Sequence, residues 1–130
     1  MRITNENYVG KAEQVIIKLK GMVNPRNGRP IQMVTTSKIR NLLAMTADIY
    51  NEVLNDANEK LSNDVVGRIE YLRVHFIYEC GRDSSVKSFV TAAEILDILK
   101  EIGTNRENFV LFSRYMEALV AYHKYYDGKD

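Results

Sequence analysis

Lys38 and Arg40 stand in the first turns of a helix whose start is marked by Thr35-Thr36-Ser37, and this placement sets the first chemistry open to the chain. A helix start carries unpaired backbone N–H groups and the positive end of the macrodipole, where acids are the usual residents. Two cations there are locally the wrong charge, unless an anion such as phosphate binds and reverses the balance. The alternative is a pair of solvated side chains. At about 100° per residue, the two flank their helix's apolar stripe on opposite sides, so they share a ligand only across the helix tip. Arg73 falls within the apolar arc of its own helix, between the directions of Ile69 and Phe76. It is either paired with a carboxylate of a neighbouring helix, such as Glu117 or Glu94, laid along the bundle edge, or aimed at a phosphate in a groove. Arg82 and Lys87 bracket the turn Gly81-Arg82-Asp83-Ser84-Ser85, where they either place two more cations at one end of the molecule or solvate a turn.

Catalytic chemistry finds little support. His75 and Glu79 have the i, i+4 spacing of two metal ligands, but a zinc site needs three or four, and apart from Cys80, next to Glu79, no further His or Cys lies near them. His123 falls on an apolar stripe and reads as a core histidine. The sequence contains no Gly-rich phosphate loop and no nucleophile elbow. The expectation is a chain that is not an enzyme and has no metal, no cofactor and no small-molecule substrate.

The elements that must position these residues are helices. Breakers concentrate between Gly21 and Pro30, which holds both prolines and an Asn-Gly pair, and predict a flexible loop over about 21–34. Elsewhere the apolar residues repeat at helical spacing. Tyr8, Ala12, Val15, Leu19 and Met22 outline a first helix; Ile39, Leu42, Leu43, Thr46, Tyr50, Val53 and Leu54 a second; and Val65, Ile69, Leu72, Phe76 and Cys80 a third, ending at Gly81. Phe89, Ala93, Leu96 and Leu99 outline a fourth, ending near Gly103, and Phe109, Phe112, Met116, Leu119 and His123 a fifth. The result is an all-α, single-domain bundle of about five helices over 1–130, with a frayed tail at 127–130.

Two helices carry apolar residues on a second side. Leu111, Tyr115, Ala118 and Tyr122 lie roughly opposite the main stripe of the fifth, and Ile95, Ile98 and Ile102 do the same on the fourth. A helix apolar on two sides is either enclosed by its neighbours or meets a partner, and Leu111, Tyr115 and Tyr122 are the candidate partner contacts.

The charge total is nearly neutral, with 18 Lys and Arg against 17 Asp and Glu, but it is unevenly spread. No acid occurs from Gln14 to Ala47, a stretch containing Lys18, Lys20, Arg26, Arg29, Lys38 and Arg40; from Asp48 to Asp64 only Lys60 interrupts the acids. A +1 total alone would argue against a nucleic-acid binder, yet position matters more than sum. The single cysteine, Cys80, fits a reducing compartment, and neither a signal peptide nor a membrane span is legible, so a cytoplasmic location is expected.

The segments Thr35-Thr36-Ser37-Lys38-Ile39-Arg40-Asn41-Leu42-Leu43, Ile69 through Arg82, Val86-Lys87-Ser88-Phe89 and Tyr115 through Lys124 together resemble a known family. In this order, in so short a chain, they are similar to the small helical subunit of type III-A CRISPR effector complexes, the second subunit of the Csm ribonucleoprotein. The resemblance covers most of the chain from Thr35 onward and the Asn7-Tyr8 helix start. It implies a non-catalytic subunit for antiviral defence, with further copies of itself and other Csm subunits as partners, stacked along a filament where guide RNA pairs with target RNA. It also implies backbone contacts without sequence readout, pairing itself supplying specificity. Carried over by motif position, Lys38, Arg40, Arg73, Arg82 and Lys87 are RNA-contact candidates, joined by Lys124. A helical scaffold that assembles subunits without touching nucleic acid is the competing expectation. The segment Met22 to Ile31, with Arg26 and Arg29, maps least well onto the family pattern.

Overall fold

The computed structural model describes residues 1–126; the tail expected at 127–130 lies outside the described residues. Six helices follow one another: α1 (Tyr8–Gly21), α2 (Thr36–Leu54), α3 (Asn63–Arg82), α4 (Ser84–Ala92), α5 (Ile95–Ile102) and α6 (Arg106–Tyr126). They close around one core, and among the described residues no helix is long and apolar enough to cross a membrane.

Local chemistry explains most boundaries. The Thr35 hydroxyl accepts from the Lys38 amide at the start of α2, and Ser62 accepts from Val65 at the start of α3. Asp83 ends α3 and caps α4 at once: its carboxylate accepts from the Ser85 amide at 2.9 Å and the Ser85 hydroxyl at 2.6 Å. A single residue thus turns the chain between two helices.

The expected fourth helix is two helices. In an unbroken helix at about 100° per residue, Val86, Phe89, Val90 and Ala93 would face about 180° away from Ile95, Ile98, Leu99 and Ile102. Both sets are buried, because the chain breaks between them at Glu94, which adopts a left-handed conformation with φ 57°. The break re-aims the second stripe at the same core. The Ala93 carbonyl, withdrawn from helical bonding, accepts from the Tyr115 hydroxyl at 2.9 Å. The Glu94 carboxylate is held by Arg2 and Lys11, each at 2.8 Å.

α6 is the central helix, packed against α1, α2 and α5. Phe109, Phe112, Met116 and Leu119 are buried, and so are Leu111 and Tyr115 from its other side. The second stripe of α6 is therefore enclosed within the chain.

The Gly21–Pro30 region, expected as a flexible loop, is drawn into a small hairpin with Val23 opposite Pro30. The Ile31 amide donates to the Met22 carbonyl at 3.1 Å and the Asn24 amide to the Arg29 carbonyl at 2.7 Å. Gly28, at φ 67°, supplies the left-handed residue that so tight a reversal requires.

Candidate nucleic-acid interface

The start of α2 is anchored from below. His123, buried near the end of α6, donates from Nε2 to the Val34 carbonyl at 2.7 Å, and its Nδ1 lies 3.3 Å from the Thr36 hydroxyl. The core histidine thus fixes the residues that launch the helix carrying Lys38 and Arg40. Lys38 then reaches across to Asp83, forming an ion pair that ties α2 to the α3–α4 junction. That ion pair, with the Ser85 hydroxyl bond second, holds the Asp83 carboxyl well below the usual carboxylate range. Arg40 departs on the other side of the buried Ile39; it is exposed and has no partner among the described residues.

Around Asp83 the structure gathers three of the sequence-predicted cations. Lys38 is paired with it, Arg82 precedes it, and Lys87 stands exposed one turn into α4. Arg82 leans back along α3, with its guanidinium 3.5 Å from Glu79 and 5.6 Å from the Tyr78 ring centre, while its side chain remains 61% exposed. Lys124 follows His123, so it stands at this same end of the bundle, and it is exposed.

Arg73 does not join them. Along α3 it lies roughly 13 Å from Arg82 and about half a turn around the axis. Its partner is Glu70 on the same helix, at 3.0 Å, rather than Glu117 or Glu94. Glu94 is already occupied by Arg2 and Lys11.

The expected partner contacts on α6 also need correction. Leu111 and Tyr115 are buried in the chain's own core, Tyr115 completely, and its hydroxyl is satisfied by Ala93. Only Tyr122 keeps part of its surface. Spare apolar surface lies instead on the outer side of α3, where Tyr71, Val74, Ile77 and Tyr78 are 53–64% exposed. Tyr71, Val74 and Tyr78 repeat at three and four residues in the sequence, so the signal was legible; it was overshadowed by the stronger stripe on the same helix.

The residues weighed for catalysis have other employment. His75 meets the Tyr71 ring edge-on at 4.6 Å between centroids, and Glu79 is engaged by Arg82. Burial pushes the Cys80 thiol up, away from the nucleophilic thiolate. Among the described residues no three His, Cys, Asp or Glu side chains are grouped to hold a metal ion.

Comparison with known proteins finds relatives along nearly the whole chain. The family model described as Csm2 Type III-A matches residues 23–129. A Mycobacterium tuberculosis protein named CRISPR system Cms protein Csm2 is 39% identical over 130 residues, covering 100% of this chain and 99% of its own. Relatives of the same name from Streptococcus thermophilus and Enterococcus italicus are 41% and 36% identical. These alignments cover 98% of this chain and 98% of the relative for the first, and 88% and 86% for the second.

Proposed function

The chain belongs to the type III-A Csm2 family, and from that membership we propose that it is a non-catalytic subunit that holds the guide and target RNA backbone inside a CRISPR effector complex. Membership makes it a small subunit of a type III-A effector. The proposal adds what the subunit touches. Copies of it stack along the filament beside other Csm subunits, and cations at one end of each bundle meet phosphates without reading bases.

The observation that carries this reading is the convergence at one end of Lys38, Arg82, Lys87 and Lys124, with Arg40 unpaired among the described residues on the other flank of the α2 tip. Lys38 is engaged by Asp83 in a part-buried pair, 44% exposed on the lysine side and 23% on the aspartate side, so the ammonium still meets solvent and can share its charge with a phosphate. Arg73, distant and paired with Glu70, is the weakest of the candidates on geometry.

The test is RNA affinity of the assembled complex carrying Lys38→Gln and Arg40→Gln. Glutamine removes both charges without setting a carboxylate against Asp83, as a glutamate at position 38 would. Binding should weaken several-fold. The slope of log affinity against log salt should become shallower by about 0.7 for each single-strand phosphate that is no longer neutralised. Unchanged affinity and slope would reject the RNA reading and favour an assembly scaffold, which the exposed apolar side of α3 supports.

A further inference from the structure

Seven residues after Gly21 the chain turns back on itself, and the turn carries two arginines. Both Arg26 and Arg29 are exposed, and neither guanidinium has a partner among the described residues. By contrast Arg2, Lys11, Lys38, Arg68, Arg73 and Arg82 each face a carboxylate. The backbone beneath the two arginines is fixed. The Asn24 and Asn27 carboxamide oxygens accept from the Arg26 and Arg29 amides, both at 2.9 Å, and the Gly28 amide donates to the Asn24 carbonyl at 2.8 Å.

Two clefts abut at the foot of this hairpin, sharing Met22, Ser84 and Ser88. One, of about 560 Å³, is lined by Arg29 and Asn27; the other, of about 350 Å³, by Lys18 and Lys87. Lys18 and Lys87 are exposed and have no carboxylate partner among the described residues. We propose that the Val23–Pro30 hairpin is a further binding site for an RNA backbone, extending the path from Lys87 past Lys18 to Arg26 and Arg29. This inference rests on the RNA reading above and assigns contacts outside the four segments that carry the resemblance.

The chemistry favours a run of phosphates over other anions. Unpaired cations spread along two adjoining clefts match a repeating charge better than a single ion. Guanidinium forks bind phosphate oxygens in pairs, and a hairpin already closed by its own hydrogen bonds loses little freedom when it binds. The tip, Arg26-Asn27-Gly28-Arg29, offers no apolar side chain to anchor a protein partner.

The experiment compares effector complexes assembled with the unaltered chain, with Arg26→Ala and Arg29→Ala, and with Lys38→Gln and Arg40→Gln, each titrated with RNA across a salt series. The hairpin variant should bind several-fold more weakly, with a slope shallower by about 1.4 for two single-strand phosphates. Arg26→Lys with Arg29→Lys should restore the slope and part of the affinity, which a folding defect would not allow. If the hairpin variant matches the unaltered chain while the Lys38 and Arg40 variant weakens, the hairpin proposal falls and the RNA reading stands. If both variants match it, both readings fall. Loss of the subunit from the complex, with RNA affinity intact in what assembles, would reassign the hairpin to an acidic protein surface and overturn the proposal.

Discussion

Asp83 does three jobs: its backbone amide closes α3 by donating to the Glu79 carbonyl, and its carboxylate caps α4 and holds Lys38. Because its folded-state pKa is depressed, its stabilising effect is complete above the unfolded carboxylate value of about 3.9 and is lost as pH falls through the lower folded value. Asp83→Asn keeps an acceptor for the cap but loses the charge. It should therefore destabilise at neutral pH, and the difference from the unaltered chain should shrink as urea melts are repeated below about pH 4. Asp83→Ala should cost about 1 kcal/mol more, the usual worth of a cap. The sequence shows Lys38, Arg82 and Lys87 as candidates but not the acid among them, since Asp83 is read there as a turn residue. Residue types announce what can bind; which cation is already occupied depends on neighbours 45 positions away, as Lys38 and Asp83 are. Arg73 makes the same point in reverse, finding its acid three positions away on its own helix.

At the scale of elements, the helical periodicity of the sequence is a reliable guide to every long helix and misses one boundary. Nothing in Thr91-Ala92-Ala93-Glu94 is a breaker by composition, so locally the sequence reads as one continuous helix. What forces the break is tertiary: two apolar stripes half a turn out of phase must face one core. That phase shift is visible in the sequence once Val86, Phe89, Val90 and Ala93 are set against Ile95, Ile98, Leu99 and Ile102. The Tyr115 hydroxyl stabilises the break by satisfying the Ala93 carbonyl. Tyr115→Phe should therefore cost about 1–3 kcal/mol, the penalty for a buried acceptor left unmet, with amides of α5 losing the most protection in hydrogen exchange. Equal loss of protection in every helix would show that the hydroxyl does not act at this joint.

For the whole molecule, the near-neutral sum conceals a division between cations that brace the fold and cations that face outward. Arg2 and Lys11 fasten the N-terminal segment and α1 to Glu94, whereas Lys18, Arg26, Arg29, Arg40 and Lys87 have no such duty among the described residues. The acid-free stretch from Gln14 to Ala47 supplies all of these unpaired cations except Lys87, so the charge polarity of the folded molecule was legible in the chain. The surface best suited to assembly is legible only faintly, in the spacing of Tyr71, Val74 and Tyr78 beneath the stronger stripe of the same helix. It is the outer side of α3, and Tyr71→Glu with Tyr78→Glu should block incorporation into the complex while the isolated chain keeps its helical content and melting temperature. Normal incorporation would exclude this face as a subunit contact. The order of the helices also bears on how the protein is made. Among the described residues α6 follows the other five helices and packs on both α1 and α2, so Ile16 and Leu19 of α1 and Ile39 and Leu42 of α2 leave the ribosome before the helix that packs against them. Completion of the core must wait until α6 has been translated, when His123 can reach back to Val34. A message cut short before Arg106 would then yield a sticky, protease-sensitive product rather than a smaller working subunit.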